Sequence, residues 1–231
     1  MFDILHGDCS ERIESIKASG AVIVTDPPFN IGYHYNSYAD RMPEDEYYRW
    51  LASILRGAPC AVVHYPESLY ILSAHLGLFP NRVVSWCYNS NTAKQHRDIA
   101  FFDIEPDFKQ VRQPYKNLND KRIKERIKNG SGGGRLYDWW VVNQVKNVSR
   151  EKTAHPCQMP LEVMERIIGI LPKDTIVCDP FMGSGTTGVA VMTMNRKQNA
   201  SRRFVGIEID GEYYEIAKER INATYKENNN G

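Results

Sequence analysis

Short runs of β-branched and apolar residues recur along the chain, and each run ends at a turn or a polar residue. The runs that predict strands cover residues 2–6, 21–25, 60–65, 82–88, 175–178 and 203–209. Helical periodicity lies between them, at residues 44–55, 161–171, 183–194 and 213–225. Alternation of strand and helix is typical of an α/β fold, with a mostly parallel, twisted sheet and helices on both faces.

The composition suits one domain of this kind. The chain has 231 residues, of which 42% are hydrophobic and 25% are charged. That is enough for one sizeable core and too little for two full domains with linkers. The same values exclude a disordered chain, a collagen-like repeat and a small disulfide scaffold. We therefore expect a single domain over residues 1–231.

The sequence also predicts a cytoplasmic location. The first residues lack the basic start and apolar stretch of a signal peptide. No run approaches the roughly 18 apolar residues of a membrane span. The five cysteines are scattered without a C-x-x-C spacing, which argues against a disulfide framework or a zinc site. We expect a reducing compartment, no membrane partner and no bound metal.

Residues 89–152 depart from the alternating pattern. Apolar periodicity fades there, and residues 109–135 carry nine basic side chains against two acidic ones, although the whole chain has a net charge of only +1. The glycine-rich residues 130–134 predict a flexible linker or mobile loop. Such a charge run is commonly a solvated helix face.

Aromatic residues next to this charge run favour a nucleic-acid surface instead. Tyr137, Trp139 and Trp140 follow the glycines directly. The predicted DNA-binding residues of this segment are Lys121, Arg122, Lys124, Arg126, Lys128 and Arg135.

The motif Asp26-Pro27-Pro28-Phe29 ends the second predicted strand. Proline has no N–H to donate and a fixed φ, so the strand stops and the preceding carboxylate and carbonyl are held rigidly. They lie at the carboxyl edge of the sheet, where open α/β sheets bind ligands. An acid, a rigid carbonyl and an aromatic ring form a receptor for a planar base with an exocyclic amine. A strand-ending turn with a solvated aspartate is the plain alternative.

A glycine-rich turn at residues 179–187 follows another predicted strand. It lacks the lysine of a P-loop and the G-x-G-x-x-G pattern of a dinucleotide site. The next strand ends near Glu208, about 30 residues on, at a position where α/β folds hold a ribose diol. The unit predicts a site for a nucleoside-bearing cofactor without a triphosphate. A packing turn is the alternative.

With both motifs in one chain, the sequence resembles the amino-methylating DNA methyltransferases of the β type, which use S-adenosylmethionine. Those enzymes carry D-P-P-[YF] near the amino end and F-x-G-x-G near the carboxyl end. Gly7-Asp8-Cys9 matches their G-D-C, and residues 155–160 match their H-P-x-Q-K-P except for Met159, which stands at the usual lysine. The four motifs occur in the family's order and cover nearly the whole chain.

The resemblance implies a circularly permuted Rossmann-like methyltransferase fold in which the catalytic half precedes the cofactor half. Residues 89–152 would be its small basic insert for target recognition. Asp26, Pro27, Pro28 and Phe29 would hold the target base, and Glu208 would hold the ribose hydroxyls of the cofactor. The other implied cofactor contacts are Asp8, Cys9, His155, Gln158, Asp179, Phe181, Gly183, Ser184, Gly185, Thr186 and Thr187.

The implied activity is site-specific transfer of a methyl group from S-adenosylmethionine to the N6 amino group of a flipped adenine in double-stranded DNA. Hydrogen bonds from the amino group to the Asp26 carboxylate and the Pro27 carbonyl would localise its lone pair, and Phe29 would stack on the base. The aspartate favours adenine. The alternatives are cytosine N4, RNA, a glutamine side chain, or a catalytically silent DNA-binding relative. The order of the motifs argues against RNA and protein substrates.

The tyrosine-rich residues 30–41 directly follow the catalytic motif. We expect this loop to cover the base or to contact DNA, through Tyr33 and His34. The family resemblance also suggests a homodimer and a separate cognate restriction nuclease as partners.

Overall fold

The computed structural model describes residues 2–33, 37–147 and 149–229, the side chain of residue 229 excepted. Its strands are β1 (Phe2–His6), β2 (Val22–Thr25), β3 (Cys60–His64), β4 (Arg82–Cys87), β5 (His96–Phe102), β6 (Arg112–Gln113), β7 (Gly134–Arg135), β8 (Trp139–Val141), β9 (Ile176–Asp179) and β10 (Arg203–Glu208). Its helices are α1 (Ile13–Ala18), α2 (Glu44–Leu55), α3 (Pro66–Leu76), α4 (Lys121–Lys128), α5 (Leu161–Gly169), α6 (Thr186–Gln198) and α7 (Gly211–Asn229).

Eight strands form one sheet in the order β1-β10-β9-β2-β3-β5-β4-β8. All neighbouring pairs are parallel except those of β5, which runs antiparallel to both β3 and β4. The last two strands of the chain, β9 and β10, lie between its first two, β1 and β2. This is the permuted order that the motifs predict, and the predicted α/β fold with a mostly parallel sheet is confirmed.

The core lies on both faces of the sheet. Alternate side chains of a strand point to opposite faces, so Val22 and Val24 of β2 belong to one apolar cluster and Ile23 to the other. Helices α5, α6 and α7 cover the first face, and α2 and α3 cover the second. Strands buried on both faces are nearly continuous in apolar residues, which explains why the sequence predicts them well.

Residues 89–152 are not a separate unit. They supply β5 and β8 to the main sheet, and the last four residues of β5, Ile99 to Phe102, are completely buried. The sequence analysis missed β5 because three polar residues begin it and a basic segment follows it. The predicted role of this segment in target recognition stays a prediction, but its boundaries do not mark an independent insert.

One further expectation for this segment is wrong. Trp140 is fully buried and its indole N–H donates to the carbonyl of Tyr137 at 2.7 Å, so it belongs to the core rather than to a nucleic-acid surface. Two of the glycines are packed, whereas Gly130 and Gly132 are exposed with open space around them, so the predicted flexibility of residues 130–134 stays a prediction. Gly133 lies at φ 148°, where a Cβ would come within 2.4 Å of the carbonyl oxygen of Gln113, and Gly134 pairs with Gln113 in the two-stranded sheet of β6 and β7.

Within the described ranges, no helix is long and apolar enough to cross a bilayer. The same residues contain no group of three or more His, Cys, Asp or Glu side chains placed to hold a metal ion. All five cysteines are free thiols.

Candidate active site

A cavity of about 260 Å³ opens at the carboxyl ends of β1, β2, β9 and β10. A second cavity, of about 40 Å³, shares five lining residues with it, Asp26, His155, Cys157, Phe181 and Gly183. Most of the predicted site residues line one of the two. Those of the larger cavity are Asp8, Cys9, Asp26, Pro27, Pro28, Phe29, Tyr33, His155, Phe181, Gly183 and Glu208, and the smaller one adds Gln158, Asp179, Ser184, Thr186 and Thr187.

Asp26 follows the last residue of β2 and projects into both cavities. Its Oδ1 atom is buried and accepts no hydrogen bond from the described residues. Loss of solvent raises the pKa of this carboxyl to about 7. The positive charge of Arg97 opposes the rise, and the nearby carboxylate of Asp179 adds to it. Asp26 is therefore a buried acceptor that lacks a donor.

Arg97, in β5, is a site residue that the sequence analysis missed. Its Nη1 lies 3.9 Å from Oδ2 of Asp26, and its guanidinium carbon lies 4.6 Å from the centre of the Phe29 ring. No local motif marks this arginine. It reaches the cavity only because β5 inserts antiparallel between β3 and β4.

The ring of Phe29 is held from behind by a hydrogen-bonded pair. His64 stacks on it, with ring centres 4.2 Å apart. The Tyr47 hydroxyl donates to the carbonyl of Pro28 at 2.7 Å and lies 3.0 Å from Nε2 of His64. Nδ1 of His64 accepts from the amide of Tyr65, and burial lowers the His64 pKa to about 3, so the imidazole is neutral. These contacts orient the two prolines and leave the Pro27 carbonyl without a donor among the described residues.

The turn after β9 is organised by Asp179. Its carboxylate accepts hydrogen bonds from the hydroxyls of Thr25 and Thr187 and from the amide of Phe181. Burial raises its pKa to about 6, against these hydrogen bonds, which lower it. Because the three bonds occupy both oxygens, Asp179 fixes the turn between β9 and α6 and ties it to Thr25 at the end of β2.

Glu208 closes the opposite wall of the cavity. It accepts from the amides of Gly183 at 2.7 Å and Asp210 at 2.9 Å. Gly183 has φ 53°, and a Cβ there would lie 2.9 Å from His155, so only glycine fits between the two walls. Asp8 caps the short turn that follows β1 by accepting from the amide of Ser10 at 2.8 Å.

Gly185 lines neither cavity. Its φ is 78°, and a Cβ would lie 2.9 Å from the Cβ of Ala217 in α7. The role that the structure supports for it is close packing of α6 against α7. Arg220 of α7 reinforces that contact by donating to the carbonyl and hydroxyl of Ser184 at 2.5 and 3.0 Å, a contribution that no sequence motif indicates.

The segment before α5 supplies His155 and Gln158. The Gln158 amide accepts from the backbone and hydroxyl of Thr153 and donates to the carbonyl of Glu151, so its polar atoms hold the segment together. Met159, at the position of the family's lysine, is 6% exposed and belongs to the apolar core. A lysine at this buried position would need a charged partner, whereas the methionine side chain packs without one.

The loop after the catalytic motif is tied to both sides of the cavity. The buried Asp40 accepts from three loop amides, those of Asn30, Ile31 and Tyr33. The Ser37 hydroxyl donates to Asp210 at 2.6 Å. Tyr33 lines the cavity, and its predicted contact with the base or with DNA stays a prediction; His34 lies outside the described residues.

The predicted basic surface lies apart from the cavity lining. Helix α4 begins at an Asp120 cap and carries no buried residue, so its basic side chains point into solvent. Arg135 of β7 is also exposed. Lys116 lies over the ring of Trp139, 4.5 Å from its centre, and half of Trp139 is exposed. Solvated cations next to an accessible aromatic ring are typical of nucleic-acid surfaces.

The comparison with known proteins agrees with this site. A family model described as DNA methylase, N6_N4_Mtase, matches residues 73–219. The chain belongs to this family. The Type II methyltransferase M.BglII of Bacillus subtilis is 30% identical over 98% of this chain and 71% of its own length. The DNA adenine methyltransferase YhdJ of Escherichia coli K12 is 30% identical over 94% of this chain and 82% of its own.

Solved structures share the fold. M1.HpyAVI in complex with S-adenosylmethionine superposes with a TM-score of 0.60 over 96% of this chain and all of its own, at 22% identity. TTHA0409 of Thermus thermophilus, complexed with S-adenosyl-L-methionine, gives 0.61 over 97% of this chain and 95% of its own, at 20% identity. The protein is an S-adenosylmethionine-dependent DNA methyltransferase.

The lining of the larger cavity fits that cofactor. Among the described residues, Asp8, Asp26, Glu208 and Asp210 place carboxyl groups around it against one arginine, Arg97, which favours a cationic sulfonium. Trp50 and Phe181 contribute an apolar wall, with ring centres 5.3 Å apart. Gly183 lies close to the ring of His155, so the two walls of the cavity are near enough to enclose a narrow ligand.

Proposed function

We propose that this methyltransferase modifies the N6 amino group of an adenine flipped out of duplex DNA at a specific sequence. The observation that carries the proposal is the buried Oδ1 of Asp26, which accepts no hydrogen bond from the described residues, in a cavity that Pro27 also lines. A carboxylate and a carbonyl on adjacent residues match the two N–H groups of an exocyclic amine. They draw the amine lone pair out of the ring and point it toward the cofactor.

When bound, S-adenosylmethionine supplies a methyl group on a cationic sulfonium. The N6 nitrogen forms a bond to the methyl carbon, the carbon–sulfur bond breaks, and its electron pair stays on sulfur. One proton then leaves N6. Asp26 is placed to accept it, since burial raises the pKa of its carboxyl to about 7, and to pass it to water. The predicted cofactor residues that line the cavities would hold the cofactor, with Glu208 on its ribose hydroxyls.

We place the DNA backbone on the solvated basic residues of α4 and on Arg135. Five of the eight residues of α4 are basic and one is acidic. Among the described residues only Arg122 of these five forms an ion pair, with Asp120 at 3.3 Å. Solvated cations of this kind bind phosphates without reading the base sequence.

Nucleoside mass spectrometry of DNA from a methylation-deficient host tests the proposal. The host expresses the wild-type protein, Asp26→Ala, or the matched control Glu105→Ala, which removes an exposed carboxylate paired with Arg82 on the surface. We expect N6-methyladenine with the wild type and with Glu105→Ala, and none above background with Asp26→Ala. Mapping the methylated positions gives the recognition sequence.

Other outcomes are equally clear. N4-methylcytosine in place of N6-methyladenine would overturn the choice of base and keep the role of Asp26. No methylated base at all, with cofactor binding intact in a calorimetric titration, would favour a catalytically silent DNA-binding relative.

The homodimer, the separate restriction nuclease and the cytoplasmic location belong to the same proposal. The five free cysteines are in keeping with a reducing compartment. Type II methyltransferases among the relatives, such as M.HpaI of Haemophilus parainfluenzae, at 28% identity over 94% of this chain and 74% of its own, motivate the search for a nuclease partner.

A further inference from the structure

Two residues that line the cavity, Asp26 and Arg97, each have a buried polar atom without a hydrogen-bond partner among the described residues. Oδ1 of Asp26 and Nε of Arg97 are both shielded from solvent, and neither is paired among the described residues. The contact between the two side chains, 3.9 Å from Nη1 to Oδ2, is too long for a hydrogen bond. Because buried polar groups are nearly always paired, these two atoms indicate the polar groups of the missing ligand.

The two atoms have opposite requirements. An ionised carboxylate can only accept a hydrogen bond, and an arginine Nε–H can only donate one. Their ligand must therefore present an N–H donor next to an acceptor. Adenine does so with its N6 amino group beside ring nitrogen N1, and cytosine with its N4 amino group beside N3. Thymine presents the reverse, a carbonyl oxygen beside a ring N–H, and so does guanine on the edge that carries O6 and N1–H.

Arg97 is held at this position by its surroundings. Its guanidinium carbon lies within 6.0 Å of four aromatic ring centres, those of Phe29, Tyr65, Trp86 and Tyr88. Its backbone pairs with Trp86 of β4 in the main sheet. Because the guanidinium is already against Phe29, a planar base that enters beside Phe29 comes into contact with it.

We propose that Arg97 is a base-recognition residue whose guanidinium donates a hydrogen bond to the ring nitrogen beside the amino group of the flipped base. This inference rests on the proposed function and deepens it. Asp26 and Arg97 together form a donor-and-acceptor filter. The filter admits adenine by its N6/N1 edge and cytosine by its N4/N3 edge, and it rejects thymine and the O6/N1 edge of guanine.

Base analogues test the contact one atom at a time. Duplexes with the mapped site carry adenine, 1-deazaadenine or 7-deazaadenine at the target position. The first analogue replaces N1 by a C–H group and keeps the amino group, and the second removes N7 instead. For the wild type we expect kcat/KM to fall about tenfold to a hundredfold with 1-deazaadenine, the effect of one charge-assisted hydrogen bond, and less than about threefold with 7-deazaadenine.

Variants of Arg97 distinguish loss of the hydrogen bond to N1 from a change in the intrinsic reactivity of the analogue. Arg97→Met keeps the length of the side chain and removes every donor. Its activity on adenine is expected to fall by the same factor, and 1-deazaadenine is expected to cause no further loss. Arg97→Gln retains an N–H donor and is expected to keep part of the discrimination. Cofactor titration and thermal melting verify that each variant is folded.

The outcomes distinguish this inference from the proposed function. An equal penalty for 1-deazaadenine in the wild type and in Arg97→Met would overturn the role of Arg97. If neither variant folds, the wild type decides, since equal rates on the two analogues overturn the role and a selective loss with 1-deazaadenine supports it. Absence of methyl transfer to unmodified adenine contradicts the proposed function instead. Cytosine and 3-deazacytosine then test Arg97 at the base that is methylated.

Discussion

At the scale of single residues, the chemistry depends on how far burial changes Asp26. Loss of water raises the pKa of its carboxyl to about 7. The charged and titratable groups around it come from four parts of the chain, Arg97 of β5, Asp179 of β9, Tyr47 of α2 and Tyr88 after β4. Of these, Arg97 favours the ionised form and Asp179 disfavours it. The carboxyl therefore titrates near neutral pH.

The pH dependence of methyl transfer follows from this shift. Only the ionised carboxylate accepts from the amine, so activity is lost as the pH falls and Asp26 takes up a proton. We expect kcat/KM to rise about tenfold per pH unit below pH 7 and to level off above it. Initial rates between pH 5.5 and 9, an experimental range of about three and a half units, measure the profile. A rate independent of pH, or one that falls as the pH rises through 7, would show that the ionised form is not required.

Arg97→Met provides the matched comparison for that profile. Removing the guanidinium removes the nearest positive charge, so the acid limb is expected to move to higher pH. A variant that merely loosened the fold would lower the rate at every pH without moving the limb.

Gly185 lies in the glycine-rich turn at residues 179–187, but its role in the structure is to let α6 pack against α7. Replacement by alanine places a Cβ at φ 78° and 2.9 Å from Ala217, so both backbone strain and overpacking oppose it. We expect Gly185→Ala to lower the free energy of unfolding by about 2–4 kcal/mol. The control is Gly132→Ala, where a Cβ meets nothing within 4 Å, and it is expected to change stability by less than about 1 kcal/mol. Urea denaturation compares the two, and equal stability would contradict the packing role.

The sequence could predict site residues that are neighbours in one motif. It could not predict those that reach the site from elements distant in sequence. Asp26 to Phe29 and the glycine turn are recognisable because each motif needs neighbouring residues with fixed backbone geometry. Arg97, Tyr47 and Arg220 act on those motifs from elements remote in sequence. An isolated arginine or tyrosine has no local signature, so only the sheet and helix packing reveals what it contacts.

At the scale of elements, helix α4 is the part of the molecule best suited to bind DNA phosphates. Its charge is not neutralised by the fold, and a cation that replaces a condensed counterion makes affinity depend on salt. Replacing Lys121, Arg122, Lys124 and Arg126 by glutamine is expected to reduce the slope of log affinity against log salt by about 3 to 4, near 0.9 per phosphate contact. Fluorescence anisotropy at several salt concentrations measures that slope.

A second set of four cations controls for net charge alone. Lys173, Lys197, Lys218 and Lys226 are exposed on the carboxyl-terminal half. Their replacement by glutamine changes the total charge equally, and the slope is expected to change by less than about 1. Similar slopes for the two quadruple variants would mean that α4 is an ordinary solvated helix with no special role in DNA binding.

Elements with regular patterns were predictable, and the antiparallel strand was not. β1 and α2 have the predicted bounds because turns, or a proline with a first acidic turn, mark their ends. β5 begins with His96, Arg97 and Asp98, whose polar character suggests a loop. In the structure Arg97 faces the cavity, and Asp98 accepts from Ser85 of the neighbouring strand at 2.9 Å, so each has a partner that the sequence does not show.

At the scale of the whole molecule, the arrangement of the catalytic half and the cofactor half in space is compatible with either order along the chain. β9 pairs with β2 in the centre of the sheet, so the glycine turn and the catalytic motif meet at one edge whichever half comes first. The first strand and the last helix are in contact, with the rings of Phe2 and Tyr225 5.6 Å apart. The chain could therefore be closed there and opened elsewhere.

A circular permutant tests this compatibility. A short glycine–serine linker joins residue 231 to residue 1, and the chain is opened between the exposed Lys146 and Asn147, so that the cofactor half comes first. Because every strand pair survives, we expect cofactor affinity within about threefold of the wild type and a loss of about 1–3 kcal/mol in stability. Opening between Val62 and Val63, which are completely buried in β3, is the control and is expected to abolish cooperative unfolding. A permutant that melts cooperatively but binds no cofactor in calorimetry would mean that the cavity depends on chain order. Binding by that permutant would mean that the sheet alone assembles the cavity.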